Sequence, residues 1–488
     1  MELKKNKFYV DVLKGTVTLC LLFCGARISG GAVAILVAFM GLVFAIRRKV
    51  GHLAICYMLF PVLLNFNHAI VKLDGLLVFS SRIGNFLLML TMILFGSRCP
   101  RERVPFFWLF AYCGVACISS IGGWMPFISH MKLIQFVLFI IGVMVIMKGI
   151  QDTDIELYHV RCFMMGLAII FIVGGIALRF IPSLGYSMIL DKYDSFGLDI
   201  SASELMQSEG MVLFNGMAGH SQMLAPMTAM MAAWVLCDML LVEKKVSLFH
   251  MGVLIFAPVL IYMSRSRGGL LEIAAVMGMV MLVCVPKARL TVKVKSRLRG
   301  LVALMIVGLI GVSVVSEIQN QTISKWIRKT ENVGGDSRTL REAFTGSRQG
   351  AIEYNLNDFN LNPLFGKGFQ VLPDFERRFE RGEITWFFAP VEKGITPLVV
   401  LGETGIVGAI VFTIFIFSFY ATCLRRRYLA LMTMFTCMLV CNLADSTFFS
   451  PSGLGGFLWI MSCVGGFSID LISIRMAHGV WSYPEMRR

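Results

Sequence analysis

The stretch GSRQGAIEYNLNDFNLNPLFGKGF, Gly346–Phe369, and the stretch VEKGITPLVVLGETGIVG, Val391–Gly408, belong to a segment that opens near Glu317 and interrupts an otherwise apolar chain. On either side the apolar runs reach about 17–25 residues, the length of a helix that crosses a bilayer. Reading outward from that segment, the chain is a polytopic helical membrane protein with one long polar insertion. Such a protein gains no stability from so long a polar connection, so recognition or chemistry is the reason for it.

Composition supports the membrane reading. The 488 residues are 57% hydrophobic and only 15% charged, and the mean hydropathy is +0.75. A net charge of +15 would point to nucleic acid in a soluble protein. Here cytoplasmic loops rich in Lys and Arg account for it, so nucleic acid is excluded as a partner. The 13 cysteines fall mostly inside apolar runs, where a thiol acts as a small hydrophobe. Cys20 and Cys24, Cys113 and Cys117, and Cys437 and Cys441 have i,i+4 spacing, but no His or carboxylate stands beside them in sequence, and helix packing is the expected role. The basic start MELKKNKFYV resembles a signal peptide, yet no small-residue cleavage site closes the run that follows, which predicts a retained first span.

Hydropathy places spans near 8–26, 29–46, 50–66, 75–96, 104–121, 126–149, 160–182, 212–241, 247–263, 268–286, 299–316, 395–422, 428–444 and 454–474. The expected fold is all-α, with about 12–14 transmembrane helices and one long extracytoplasmic loop. With the N-terminus in the cytoplasm, Arg47-Arg48-Lys49, the Arg98–Arg103 cluster, Lys244-Lys245, Lys287 to Arg299 and Arg425-Arg426-Arg427 all fall inside. The basic-poor links, such as Gly122-Gly123-Trp124 and Asp445–Pro451, fall outside, so one orientation satisfies the whole chain. Both termini are then cytoplasmic, and 183–211 and 317–394 are extracytoplasmic. The chain divides into N-terminal helices with a first outer loop (1–211), a central helical group (212–316), the long loop (317–394) and C-terminal helices (395–488). Within the long loop, Asp336 or Ser337 caps one expected helix. A second starts at Ser347 and aligns Arg348, Ile352 and Leu356 on one face, and Asn362-Pro363 ends it.

Several polar groups stand out against this background. Ser264-Arg265-Ser266-Arg267-Gly268-Gly269 places two arginines at an outer boundary, where a phosphate group or lipid headgroups would compensate them. Arg338, Arg341 and Arg348 lie in the long loop, where solvation alone would also satisfy them. Glu392-Lys393-Gly394 marks the return to the membrane, and Glu403 lies about two turns into an apolar span, where a lone carboxylate is costly. Arg82 is a further intramembrane charge. In Asn215–Gln222 the glycines permit close approach, and His220 either donates to phosphate, handles a proton or packs as a helix histidine.

The succession of Ser266-Arg267-Gly268, Gly346-Ser347-Arg348 with Ile352, Asn362-Pro363-Leu364-x-Gly366-x-Gly368, and Glu403-Thr404-Gly405-x-x-Gly408 resembles the O-antigen ligase and polymerase family, over about residues 212–422. The resemblance implies a GT-C-like membrane glycosyltransferase. It would move a glycan from a polyprenyl diphosphate carrier to an acceptor hydroxyl at the outer face of a Gram-negative inner membrane, without metal or other cofactor. The acceptor would be a glycan, a lipid core or a protein, and membrane lipids would surround the site. Carried over, the family's two hallmark arginines are Arg267 and Arg348, which would bind the diphosphate and stabilise it as leaving group. Arg265, Lys393 and Arg82 are further cations for the same group. The chain departs from the ligase pattern at Gly394, where ligases carry a histidine. Glu392 then becomes the expected general base, with His220 in reserve. The competing readings are a transporter or flippase for lipid-linked glycans, which predicts charges at mid-depth in the bundle, and a structural partner of a cell-wall synthase.

Overall fold

The computed structural model describes residues 2–72, 75–95, 106–123, 125–151, 154–185, 214–245, 247–264, 266–287, 349–370, 395–443, 446–451 and 453–479. The span expected at 299–316, the helix expected from Asp336 or Ser337, most of the loop 183–211, and Arg265, Arg348, Glu392 and Lys393 lie outside the described residues. Arg82 and Arg267 sit in described helices, but their side chains lie outside the described set.

Among the described residues the fold is all-α, with an antiparallel bridge between Phe66 and Ala218. The N-terminal group comprises α1 (Glu2–Ile28), α2 (Gly30–Ile46), α3 (Val50–Asn65), α4 (Gly75–Phe95), α5 (Phe106–Ile121), α6 (Pro126–Gln151) and α7 (Asp154–Ile169). The central helices are α8 (Ser221–Cys237), α9 (Leu248–Met263) and α10 (Arg267–Met279). After them come α11 (Gln349–Leu361), the 31-residue α12 (Thr396–Arg426), α13 (Leu429–Cys441), α14 (Gly453–Ile460) and α15 (Phe467–Ala477). Among the described residues, six helical stretches are long and apolar enough to cross a membrane, including Pro126–Gln151, Gln222–Glu243 and Thr396–Arg426. The protein is therefore a multi-pass helical membrane protein. The helices coincide with the expected spans to within a few residues except at 212, where residues ahead of Ser221 form the bridge and turns instead.

At the centre, α8 is wholly buried along its apolar length, while most of α1 faces outward. Lipid tails are as apolar as side chains, so close packing of small residues holds such a bundle together. Accordingly, a β-carbon on Gly465 would lie 2.5 Å from Met164 Cε, and one on Gly466 2.9 Å from Leu431 Cα. The indole of Trp234 donates to the Gly465 carbonyl at 3.1 Å.

The links between helices sort to two ends of the bundle. At one end, Gly219 N–H donates to Asn65 O (2.7 Å), Asn67 N–H to Met217 O (2.9 Å) and Thr396 N–H to Asn442 O (3.0 Å). At the other, Arg475 pairs with Asp154, the Asp470 carboxylate accepts from the N–H groups of Ala430 and Leu431, and the basic triplets beside α2 and α12 are found. This sorting is the one that alternating spans require.

Near the second end a buried polar network crosses the core. Arg161 on α7 donates through Nε and Nη2 to the two oxygens of Asp238, at 2.7 and 2.9 Å. Nη2 also reaches Glu243 at 2.7 Å, and His250 Nε2 lies 3.2 Å from Asp238. A π-helical turn over Asp238–Glu243 widens the coil so that residues five apart share a side, letting one guanidinium hold both carboxylates. Phe8 closes the site, its ring centroid 4.2 Å from Arg161 Cζ. Asp238→Asn removes one charge of a fully buried pair, and the expected cost is about 3–5 kcal/mol. Thermal unfolding in detergent checks it, and a variant that melts with the wild type contradicts the assignment.

Candidate functional site

The feature that organises the first end of the bundle is a break in α12. Gly405 adopts φ 63° and ψ −165° inside an otherwise helical run, a conformation open to glycine and strained for other residues. A break in a membrane helix leaves carbonyls and N–H groups that need partners, since hydrocarbon supplies none. Residues 363–368 supply them. Lys367 N–H donates to Gly402 O (3.1 Å) and Gly368 N–H to Glu403 O (3.1 Å). In return, Ile406 N–H donates to Pro363 O (2.9 Å) and Val407 N–H to Leu364 O (3.3 Å). The Asn-Pro-Leu-x-Gly-x-Gly and Glu-Thr-Gly motifs, about forty residues apart in sequence, are thus one structural unit.

Contact between the two is so close that side chains are excluded. A β-carbon on Gly405 would lie 2.3 Å from the Leu364 carbonyl, and one on Gly366, at φ +68°, 2.3 Å from that of Glu403. The loop is fixed on its other sides by neighbouring helices. Ser119 Oγ donates to Glu403 O at 2.5 Å, Phe369 N–H to Ser120 Oγ at 3.2 Å, and Lys132 Nζ to Gln370 O at 2.9 Å. Ser129 Oγ donates to the Phe369 carbonyl.

The helix expected after Ser347 forms as α11, and Leu361 ends it just before Asn362-Pro363. Its buried face is polar rather than the Ile352–Leu356 stripe. Asn355 and Asp358 are buried whereas Leu356 is exposed. Asp358 pairs with Lys367 at 2.6 Å, and Asn355 O faces Gly402. In this way α11 is clamped to both motifs, beginning one residue after Arg348.

His220 caps α8, its Nδ1 accepting from Gln222 N–H at 3.2 Å. With Nδ1 so engaged, a neutral ring carries its proton on Nε2 and offers a donor there. Close by, a β-carbon on Gly219 would lie 2.6 Å from His68 Nε2. Burial, and then the neighbouring His220, hold His68 well below the usual histidine range, at about 4. Arg267 opens α10, which Ser266 caps through Oγ to Gly269 N–H at 3.4 Å. A β-carbon on Gly269 would lie 2.5 Å from Ala225 Cβ, so the starts of α8 and α10 lie side by side. The structure therefore brings the backbones at His220 and Arg267 together, and separately unites the Asn-Pro-Leu and Glu-Thr-Gly motifs. Arg82 lies on α4, in the half toward the same end.

Two groups here escaped the sequence reading. Glu272, on α10, is buried, and the signal was a lone carboxylate in the apolar run LLEIAAVMG. His68 carries no comparable signal, because its place beside His220 depends on the pairing of two distant links.

A multi-pass helical membrane protein whose loop motif is stitched into a broken helix is the class these features define. Residues 251–413 match the family model described as O-antigen ligase. Over that segment the chain is similar to the O-antigen ligase family, which supports a role of the membrane ligase/polymerase type. Among curated proteins, none matches the chain.

The glycine contacts carry a direct expectation. Gly405→Ala or Gly366→Ala should lower stability by at least about 1–3 kcal/mol, the scale of backbone strain alone. Gly278→Ala, where nothing lies within 4 Å of the new carbon, should not. Thermal unfolding of the purified variants distinguishes them, and equal melting of all three would refute the stitching.

Proposed function

We propose that the protein is an inner-membrane glycosyltransferase that transfers or polymerises oligosaccharide from a polyprenyl diphosphate carrier onto an acceptor hydroxyl at the outer face. The observation that carries this reading is the joining of the two motifs within the matched segment 251–413. It anchors the chain at Gln349, next to Arg348, and the start of α12 at Thr396, three residues after Lys393. Both termini are cytoplasmic in this reading, with the basic links at the inner end.

In the reaction the acceptor oxygen attacks the anomeric carbon, the carbon–oxygen bond to the diphosphate breaks, and the electron pair leaves on phosphate. Arg267 and Arg348 take up that charge, helped by Arg265, Lys393 and Arg82, and no metal is required at the diphosphate. The acceptor proton passes to Glu392. His220 is the reserve for that step, although its capping geometry suits it better as a donor to phosphate. The transport reading predicts charges at mid-depth. The buried network of Arg161, Asp238 and Glu243 instead closes on itself at the end of α8 and its π-turn, which suits a structural role.

Arg267→Ala and Arg348→Ala should each reduce glycan product by about 10²–10³ while the protein still accumulates in the membrane. Normal polymer or ligated glycan in cells carrying either variant overturns the proposal. Glu392→Gln should abolish most turnover and His220→Ala reduce it less. Full activity in Glu392→Gln contradicts the assignment of the base.

A further inference from the structure

We propose that His52, Glu156 and His159 form a divalent transition-metal site joining α3 to α7, with Zn²⁺ the ion that the donor set fits best. The inference is independent of the glycosyl-transfer reading. It concerns the basic end of the bundle, since His52 lies thirteen residues, about 20 Å of helix, from Asn65 at the other end of α3.

One ligand atom from each of the three residues lies within 4.8 Å of the other two. Glu156 and His159 form a Glu-x-x-His pair on α7, a spacing that puts carboxylate and imidazole on one helix face and recurs in metal sites built between helices. His52 enters from the first turn of α3. Its Nδ1 is 3.2 Å from Glu156 Oε2. Zinc–ligand bonds of about 2.0–2.2 Å give a tetrahedral edge of about 3.3–3.6 Å, so this pair already stands near the required separation. Gly51 permits the approach, since a β-carbon there would lie 2.5 Å from Glu156 Oε2.

The third ligand supplies the independent sign of a missing partner. His159 Nδ1 is buried and makes no hydrogen bond, although a buried polar atom normally finds one. Its ring meets that of His52 edge to face, with centroids 4.6 Å apart. Asp11, hydrogen-bonded to Tyr158 at 2.8 Å, and Lys49 both act on His159 electrostatically, with opposite signs. The side chains of His52 and Glu156 keep 28% and 12% of their surface exposed, so an ion has access from water.

Two imidazoles and one carboxylate are a borderline-soft set of the kind zinc takes, and three protein ligands leave a fourth position for water. Bound metal would clamp α3 to α7. The far end of α3 leads directly into the bonds in which Asn65 O accepts from Gly219 N–H and Asn67 N–H donates to Met217 O, so occupancy would stiffen a helix that supports His220.

The test uses the full-length protein in detergent, stripped with chelator and titrated with ZnCl₂ alone. Expected are one zinc per chain, an X-ray absorption signature of nitrogen and oxygen ligands, and a raised melting temperature. Loss of an outer-shell partner typically weakens metal binding about 10–100-fold, so His159→Ala and Glu156→Gln should exceed that range. Glu156→Gln keeps an oxygen to accept from His52 N–H, now 3.2 Å away, so it separates ligand loss from loss of the helix cap. Failure of the wild type to retain zinc, a sulfur-ligand signature, or unchanged affinity in Glu156→Gln overturns the proposal.

Discussion

The structure depends on how a broken membrane helix satisfies its backbone. At Gly405 the chain of α12 leaves the helical conformation, and the four backbone groups that an unbroken helix would pair in two internal hydrogen bonds make four bonds to residues 363–368 instead. An unsatisfied backbone group in hydrocarbon is costly, so the loop and the helix cannot separate without leaving several such groups exposed. That constraint explains why a soluble-looking motif and an intramembrane motif occur together in one chain. It also explains Gly366 and Gly405, each of which faces a carbonyl of the other motif at a distance where no β-carbon fits.

The two ends of the bundle are built differently. At the basic end, Arg161 pairs in the core with Asp238 and Glu243 and ties helices together across it. At the opposite end, the helix starts carrying His220 and Ser266 lie side by side, and the stitched loop separately holds the helix that starts at Thr396. Rigid support at one end and helix termini at the other suit the proposed binding of an anionic lipid group.

Much of this was legible in the sequence because membrane spans are specified by length and hydropathy alone. The helix after Ser347 and its end at Asn362-Pro363 were legible for the same local reasons. What the sequence could not give was the pairing of elements. Nothing local says that Pro363 accepts from Ile406, that Asp358 rather than Leu356 faces the protein, or that His68 and His220 are neighbours. The Arg161–Asp238 pair was equally hidden, since it joins residues 77 apart and depends on a π-turn that no residue pattern announces. The Glu-x-x-His pair at Glu156 and His159 was visible in sequence, but it acquires meaning only with His52 beside it.

The most direct test of the central claim is a chemical one, on purified wild-type protein in lipid nanodiscs supplied with polyprenyl-diphosphate-linked oligosaccharide. The account predicts free polyprenyl diphosphate released in step with each new glycosidic bond, and none from protein in which Arg348 is replaced by Ala. Movement of the intact lipid-linked glycan across the bilayer, with no release of the diphosphate, would contradict it.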